Sequence, residues 1–275
     1  MEINMVRSLW SAASGMIAQQ NNVDTIANNL ANVNTTGYKT ETNEFKSLLY
    51  QTLQTRTTTA NGAQKPIGAQ VGLGVRNAAI TSQFTQGALL ASESTTAFAI
   101  NGKGFFAVQG EDGNTYYTRN GNFNISIGVD GMTLCDSDGN PVLNTDGEPI
   151  VFGDDIVTNR VTISADGQFM YPDEDNNPQP LGIQIGVYQF QNPAGLNKVG
   201  DSMYEATAAS GEALNEADND NLEKSEIRQG YLEGSNVQVA DEMVNLIVAQ
   251  RAYEMNSKAI QASDEMMQQA NQLRR

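Results

Sequence analysis

The chain has 275 residues, of which 39% are hydrophobic and 7% aromatic, a composition typical of a globular protein with a substantial core. It contains no histidine and one cysteine, Cys135, which excludes histidine-based catalytic triads, disulfide frameworks and thiolate metal clusters. The net charge is −16, and residues 111–226 hold 21 of the 32 acidic residues but only 4 of the 16 basic residues. A surface this acidic would repel phosphates, so we expect no nucleic-acid partner.

The first predicted element is a helix from about Ser8 to Val33, ended by Gly37 as a left-handed cap. Between Ser8 and Tyr38 the only charged residue is Asp24, and apolar residues recur three and four positions apart. The opposite face carries Asn, Gln, Ser and Thr, whereas a helix face in water usually carries charge. We therefore expect this polar face to contact protein. The apolar stripe consists of Leu9, Ala13, Met16, Val23, Ala27 and Leu30.

Residues 38–75 are predicted to be an extended connector, because they are rich in Thr, Gly, Ala and Gln and show little periodicity. From residue 97 onward, short apolar runs alternate with Asn-Gly and Asp-Gly dipeptides, which supply the positive φ angles of tight hairpins. Regular turns without a helical pattern predict an antiparallel β domain at residues 76–225. Its strands are expected at Ala97–Ile100, Phe105–Val108, Tyr116–Arg119, Phe123–Ile127, Val161–Ile163 and Ile183–Phe190.

The last forty residues repeat the pattern of the first helix. The predicted helix begins after Asn236 and places Asp241 and Glu242 in its first turn, where they complement the helix dipole. Each stripe is wider than one partner helix can cover, which favours a subunit that assembles with other copies over a two-helix stalk inside one subunit. No apolar run approaches the roughly 20 residues of a membrane-spanning helix. The second stripe consists of Val248, Ala252, Met255, Ala259, Ala262 and Met266.

Together these elements predict an α+β protein whose terminal helices pair like a coiled coil. Residues 1–37 and 238–275 are expected to form the paired helices of an inner assembly domain. Residues 38–75 and 226–237 are the extended connector, and residues 76–225 are the acidic antiparallel β domain. Neutral ends and an acidic middle favour a packed inner part and a solvated outer part.

Motifs that indicate chemistry in other proteins lack a required feature here. Gly102 to Ala107 fits the dinucleotide pattern G-x-G-x-x-A, but the following residues predict a strand where that fingerprint needs a helix. A calcium-loop start at Asp136 has Pro141 at the sixth position, where glycine is demanded. Cys135 has no neighbouring His or Lys and is predicted to be an inert thiol. We expect no catalytic residue, metal site or cofactor; a hydrolase that uses carboxylates alone is the enzymatic alternative.

Two strings near the ends of the chain resemble the signatures of bacterial flagellar rod and hook proteins. They are ANNLANVNTTGYK, from Ala27 to Lys39, and EMVNLIVAQRAYEMNSKAI, from Glu242 to Ile260. Three strings between them match in the same order: INGKGFFAV at 100–108, YTRNGNF at 117–123 and QGYLEGSNV at 229–237. The signature positions are Ala27, Asn28, Asn29, Leu30, Ala31, Asn32, Gly37, Tyr38, Gln250, Arg251, Ala252 and Tyr253.

This resemblance implies a structural, non-enzymatic subunit that assembles with itself into a rigid hollow helical tube. The tube would transmit torque to the hook and enclose the export channel. The implied partners are further copies of the chain, proximal rod and hook subunits and the flagellar export apparatus, with envelope ring proteins as a further candidate. The implied location is the flagellar basal body in the cell envelope, which is the periplasm in diderm bacteria, reached without a cleaved signal peptide.

The chain length and the string LLYQT at 48–52 place the chain nearest the distal-rod branch of this family. A proximal rod or hook subunit is the nearest alternative, and a secreted adhesin with a β head and a helical stalk is a more remote one. On the same resemblance, residues 54–68 are predicted to form an extended strap that lies across neighbouring subunits and keeps the tube straight.

Overall fold

The computed structural model describes residues 2–54, 69–128, 131–153, 156–173, 177–219 and 221–272, except the side chains of residues 2–6, 54 and 159. Apart from Gln54, the predicted strap at 54–68 lies outside the described residues. Two long helices flank a series of antiparallel strands along the chain, which confirms the predicted α+β fold class. None of the helices described has the length and mean hydropathy that crossing a membrane requires.

The chain folds into two compact units. The first, here called the helical unit, contains the described residues of Met1–Ala31, Glu41–Thr81 and Gln238–Arg275. The second, here called the β unit, contains those of Asn32–Thr40 and Ser82–Val237. Most of the residues predicted as the first connector therefore belong to the same unit as the helices.

The described residues of the helical unit form two helices and four strands: α1 (Glu2–Ala31), β1 (Glu41–Ser47), β2 (Tyr50–Gln54), β3 (Ala69–Gly72), β4 (Val75–Ser82) and α2 (Val239–Gln272). β1 pairs with β4, and β2 pairs antiparallel with β3. Both helices lack proline, and Gly15 is the single glycine in either, so nothing interrupts their backbone hydrogen bonds. The predicted end of the first helix and start of the second fall within about two residues of the observed bounds, the usual precision of a helix end.

The β unit consists of short strands: β5 (Leu89–Ala91), β6 (Phe98–Asn101), β7 (Phe105–Gln109), β8 (Thr115–Thr118), β9 (Asn124–Ile127), β10 (Met132–Cys135), β11 (Val151–Phe152), β12 (Thr162–Ile163), β13 (Gln168–Pro172), β14 (Pro178–Gln184), β15 (Val187–Gln189), β16 (Asn197–Gly200), β17 (Met203–Glu205), β18 (Leu214–Asn215), β19 (Glu226–Gln229) and β20 (Tyr231–Glu233). The largest sheet has the strand order β16-β17-β8-β7-β15-β18. Two three-stranded sheets run β11-β10-β9 and β12-β13-β14, and two pairs join β19 to β6 and β20 to β5.

Strand β7 separates the two apolar cores of the β unit. Successive strand residues point to opposite faces, so Phe106 and Val108 enter one core while Phe105 and Ala107 enter the other. The first core also holds Phe123, whose ring lies 5.2 Å from that of Phe106. The residues that follow Gly104 are thus a buried strand, as the sequence predicted, and not the helix of a dinucleotide site.

Most of the turn dipeptides have the predicted backbone. The glycines at 102, 113, 131, 139, 147 and 167 have positive φ angles. Gly121 is the exception: its φ is not among the positive ones, and a Cβ there would overlap the carbonyl oxygen of Phe98. Glycine is needed at this position because the chain packs closely there, and not because the turn requires a positive φ angle.

The predicted strand Ile183–Phe190 is wrong in one respect, because it is two strands. β14 ends at Gln184 and β15 begins at Val187. Between them the amide of Gly186 donates to the carbonyl of Leu143, and a Cβ at Gly186 would lie 2.6 Å from the carbonyl oxygen of Asn144. The close approach of residues 143–144 redirects the chain at a point where the apolar pattern continues without a break.

Candidate assembly surface

The helices α1 and α2 pair antiparallel along a narrow seam of small and polar residues. The hydroxyl oxygens of Ser8 and Ser263 are 3.2 Å apart. A Cβ built on Gly15 would lie 2.9 Å from Nδ2 of Asn256, so this glycine allows the two helices to approach closely. Seven residues forward on α1 thus correspond to seven residues back on α2, which is the repeat of an antiparallel coiled coil.

The predicted stripe of α2 does not form this seam. The residues of α2 that are buried or half-buried at coiled-coil spacing are Glu242, Leu246, Ala249, Asn256, Ile260, Ser263 and Met267. The predicted stripe lies one position earlier, which is about 100° around the helix. We call that stripe (Val248, Ala252, Met255, Ala259, Ala262 and Met266) the outer stripe of α2. Val248, Met255 and Met266 are 62%, 70% and 52% exposed, Ala259 and Ala262 are exposed, and Ala252 is half-buried.

The predicted stripe of α1 is also offset from the seam. Leu9, Ala13, Met16, Val23 and Leu30 are half-buried, and Ala27 is exposed. Beside this stripe runs a groove of about 400 Å³ between the two helices. Its lining residues are Gln20, Val23, Gln250, Tyr253 and Glu254.

The polar face of α1 contacts protein, as expected, but the protein is the chain's own strand β1. The buried side-chain amide of Asn29 accepts from the backbone N–H of Glu41 at 2.9 Å and donates to its carbonyl at 2.8 Å. Nδ2 of Asn43 donates to the carbonyl of Asn21 at 3.0 Å and to the hydroxyl of Thr25 at 2.7 Å. Strand β1 forms a two-stranded ribbon with β4. Asparagine side chains hold this ribbon on α1 through hydrogen bonds of the kind that would otherwise join two strands.

The start of β4 completes this contact nearer the beginning of α1. The backbone N–H of Val75 donates to the hydroxyl of Ser14 at 3.3 Å. Gly74 has a φ of +113°, and a Cβ there would overlap the same hydroxyl, so glycine is required on both counts. The residues that fix this ribbon were missed in the sequence, because they are polar and leave no apolar periodicity to detect.

A buried ion cluster joins three of the matching strings inside the β unit. Nζ of Lys39 lies 2.6 Å from one carboxylate oxygen of Glu233, and Nη1 of Arg119 lies 3.2 Å from the other. Lys39 also donates to the carbonyl of Thr85 at 2.8 Å, and Arg119 to the carbonyl of Gly102 at 2.8 Å. Desolvation by burial lowers the pKa of Lys39. The positive charge of Arg119 lowers it further, whereas the negative charge of Glu233 raises it.

Gly37 belongs to the same region, and its predicted role as a helix cap is wrong. Its φ is +72°, but α1 has already ended at Ala31. Its N–H donates to the carbonyl of Glu233 at 2.8 Å, and a Cβ would lie 2.6 Å from the amide nitrogen of Asn120. The hydroxyl of Thr36 donates to the side chain of Asn120 at 2.8 Å. Glycine therefore lets the segment after α1 pack directly on the turn after β8.

The remaining signature positions divide between buried and exposed environments. Asn29 is buried against β1, as described above. The half-buried positions are Leu30, Asn32, Tyr38 and Ala252, and the exposed ones are Ala27, Asn28, Ala31, Gln250, Arg251 and Tyr253. The exposed signature residues lie on the helices and at their ends. The stability of the fold alone does not explain why these residue types occur there.

The described residues offer no alternative chemistry at the acidic loops. Among them, no group of three acidic, His or Cys side chains is arranged to hold a metal ion. The carboxylate of Asp136 instead accepts the backbone N–H groups of Asp138 at 2.9 Å and Asn140 at 3.0 Å, which stabilises a turn. Cys135 is buried, and burial, with a smaller effect of Asp136, raises the pKa of its thiol.

Three protein-family models match the chain in sequence. They are described as flagella basal body rod protein at residues 9–39, flagellar hook protein FlgE/F/G D1 domain at 99–171, and flagellar basal body rod FlgEFG protein C-terminal at 228–273. The chain is 46% identical to the flagellar basal-body rod protein FlgG of Borreliella burgdorferi, over 98% of the chain and all of that protein. It is 40% identical to FlgG of Agrobacterium fabrum, over 95% of the chain and 97% of that protein.

The chain belongs to the flagellar basal-body rod protein family. FlgG of Bacillus subtilis, at 36% identity over 98% of the chain, extends this relationship to a third organism. The resemblance found in the signature strings is thereby confirmed, and the identity to these rod proteins supports the distal-rod branch. The chain is thus a structural rod subunit of the flagellar basal body. Each member of the ion cluster lies in a different matched segment: Lys39 in the first, Arg119 in the second and Glu233 in the third.

Proposed function

We propose that this rod-family chain is a distal-rod subunit that assembles with itself into a rigid hollow helical tube. One observation supports this most directly: large exposed apolar side chains are concentrated in the helical unit. Those of its two helices are Trp10, Ile17, Val239, Met243, Val244, Ile247, Val248, Tyr253, Met255 and Met266. Exposed apolar side chains that are concentrated in this way usually mark a protein interface.

In this proposal the two predicted stripes are the contacts between copies. Val248, Met255 and Met266 are more than half exposed in the isolated chain, and full burial of such a side chain contributes about 1.5–3 kcal/mol. The α1 stripe, from Leu9 to Leu30, borders the groove beside α2 and can receive a helix of a neighbouring copy. The narrow seam between α1 and α2 leaves the outer stripe of α2 mostly exposed and most of the α1 stripe half-buried.

The charge distribution supports the layered arrangement predicted from the sequence. Residues 1–37 and 238–275 would form the inner layer around the export channel, linked through residues 38–75 and 226–237 to residues 76–225. The acidic residues concentrated in 111–226 are suited to an outer surface in contact with water. A tube built in this way would transmit torque to the hook.

The remaining parts of the proposal concern partners and location. We place the tube in the cell envelope, between proximal rod and hook subunits, with envelope ring proteins around it. The subunit would pass through the flagellar export apparatus without cleavage of a signal peptide. A non-enzymatic role agrees with the absence of histidine from the chain and with the structural role of the rod family.

Assembly of the purified full-length chain tests this function. Concentrated wild-type protein is expected to sediment and to show straight tubes of uniform diameter by negative-stain electron microscopy. Met266→Asp should remain soluble, because assembly would bury a charge that has no basic residue three or four positions away on α2. The matched control is Ile127→Asp in the β unit, where an 84% exposed side chain is replaced by the same carboxylate without an effect on assembly.

Three results would contradict the proposal. Normal tubes from Met266→Asp would show that the outer stripe is not an interface. Curved tubes from the wild type would favour the hook alternative, and protein that remains monomeric at every concentration would favour the adhesin alternative.

A further inference from the structure

Among the described residues, one row of α1 has no contact that accounts for its composition. Trp10, Ile17 and Asp24 follow one another at intervals of seven, so they lie in a single row along the helix, which we call the α1 ridge. Trp10 is 69% exposed, Ile17 is 63% exposed, and Asp24 is also exposed. Asp24 is the only charged residue between Ser8 and Tyr38, so the ridge has two large apolar side chains and one negative end.

The outer stripe of α2 has the complementary arrangement. Arg251 comes three residues after Val248 and four before Met255, and Lys258 stands in the same relation to Met255 and Ala262. Side chains at these spacings are neighbours on a helix surface. Two basic residues therefore border the apolar stripe. Nη1 of Arg251 lies 2.9 Å from the carboxylate of Glu254, but both side chains are exposed, and such a pair is weak and readily exchanged.

We propose, on the basis of the self-assembly proposed above, that the α1 ridge of one copy docks antiparallel on the outer stripe of α2 of a second copy. Asp24 then lies beside Arg251. Heptad spacing places Ile17 near Lys258, between Met255 and Ala262, and Trp10 near Glu265 and its neighbour Met266. The single charge of the α1 ridge, Asp24, and the basic residues beside the outer stripe are all exposed in the free chain, so they can meet between two copies.

The antiparallel direction follows from the pairing inside one copy. Since α1 and α2 of one copy are antiparallel, copies that stand side by side in the same orientation present α1 of one and α2 of the next in opposite directions. A parallel arrangement that kept Asp24 beside Arg251 would place Trp10 before Val239, where α2 begins, and would leave the indole without a helix to contact.

This contact also explains how assembly continues beyond two copies. The ridge and the outer stripe are different surfaces, so each copy offers one of each to its two neighbours. An interface between unlike surfaces repeats into rings or filaments, whereas an interface between like surfaces closes as a dimer. The observed surfaces are of the kind that a filament requires.

Charge reversal tests the contact. Asp24→Arg and Arg251→Asp each place like charges together, so each should raise the concentration needed for sedimentation at least about tenfold. The double variant should assemble as the wild type does. An equimolar mixture of the two single variants should also assemble, because alternating copies pair opposite charges at every contact. Glu223→Arg, an exposed reversal in the β unit, is the matched control and should have no effect.

A second readout comes from Trp10, the only tryptophan of the chain. Its emission should shift to shorter wavelength when wild-type copies assemble, because the indole leaves water. Tubes whose Trp10 still emits as in water would overturn the contact.

The outcomes distinguish this contact from the function on which it rests. A wild-type chain that stays monomeric overturns both. If the wild type forms tubes but the single variants also assemble normally, the contact alone is overturned. The contact alone is also overturned if the wild type forms tubes but assembly is not restored in the double variant and in the mixture. Rescue of Asp24→Arg by Lys258→Asp in place of Arg251→Asp overturns the antiparallel register.

Discussion

Glu233 is the residue that holds the ion cluster of the β unit together. Its carboxylate contacts Lys39 and Arg119 and also accepts the backbone N–H of Gly87 at 2.8 Å, with no exposure of its side chain. Because one carboxylate balances two cations, the cluster is sensitive to any loss of its negative charge. Removing one partner of a buried pair is costly, since it leaves buried charge uncompensated.

Glu233→Gln is therefore expected to lower the free energy of unfolding of the β unit by about 3–5 kcal/mol. Chemical denaturation of the full-length chain measures this change. The control is Glu223→Gln, which removes an exposed pair with Lys103 at 3.6 Å and should change stability by less than about 0.5 kcal/mol. Equal denaturation midpoints for the two variants would show that the cluster is not a source of stability.

Tyr117 predicts a pH dependence of the same unit. Desolvation by burial, with a smaller effect of Tyr188, raises the pKa of Tyr117 to about 12, against about 10 in an unfolded chain. The folded state thus holds the proton more tightly, so this contribution is complete below pH ~10 and is lost as the pH rises from about 10 to about 12. Tyr117→Phe keeps the ring packed 4.8 Å from that of Phe190 and should lose less stability over this range. Identical pH profiles of the two proteins would refute the assignment.

At the scale of elements, the sequence predicted the helices well because their signal is long and local. The helix ends follow from Asp241 at the start of α2 and from the Asn- and Thr-rich run after Ala31. The seam between the helices could not be predicted, because it is built from small residues such as Ala12, Gly15 and Ala249. The conspicuous apolar residues lie on the outer faces, where a search for periodicity finds them first.

The ribbon β1/β4 shows a second limit. It is held on α1 by Asn29, Asn43 and Ser14, and polar contacts of this kind depend on positions that are distant in sequence. The ion cluster was missed for the same reason. The usable signal was the presence of single charges, at Lys39 and Arg119, inside otherwise uncharged strings.

Asn29→Ala should detach β1 from α1 at its first residue. Both backbone groups of Glu41 would lose the asparagine partner in a partly buried setting, which costs about 1–3 kcal/mol. Amide hydrogen exchange at Glu41 should accelerate relative to the wild type. Asn28→Ala is the control: it removes an exposed 3.5 Å contact with the side-chain carboxylate of Glu41 and should leave the backbone amide protected. Unchanged exchange in Asn29→Ala would mean that the asparagine does not hold the ribbon.

At the scale of the whole molecule, charge and apolar surface are separated along the chain. The acidic residues lie mainly in 111–226, whereas the helical unit has few charges on α1 and an exposed apolar stripe on α2. A protein that functions alone would have little reason to leave Val248 and Met255 in water. The separation is expected of a subunit whose stable form includes its neighbours.

A helical reconstruction of wild-type tubes by cryo-electron microscopy would show whether the outer stripe of α2 is buried between copies. Side-chain density should show Val248, Met255 and Met266 packed against α1 of a neighbouring copy. Density that shows these three side chains facing solvent, with the copies joined through other surfaces, would show that the outer stripe is not an interface between copies.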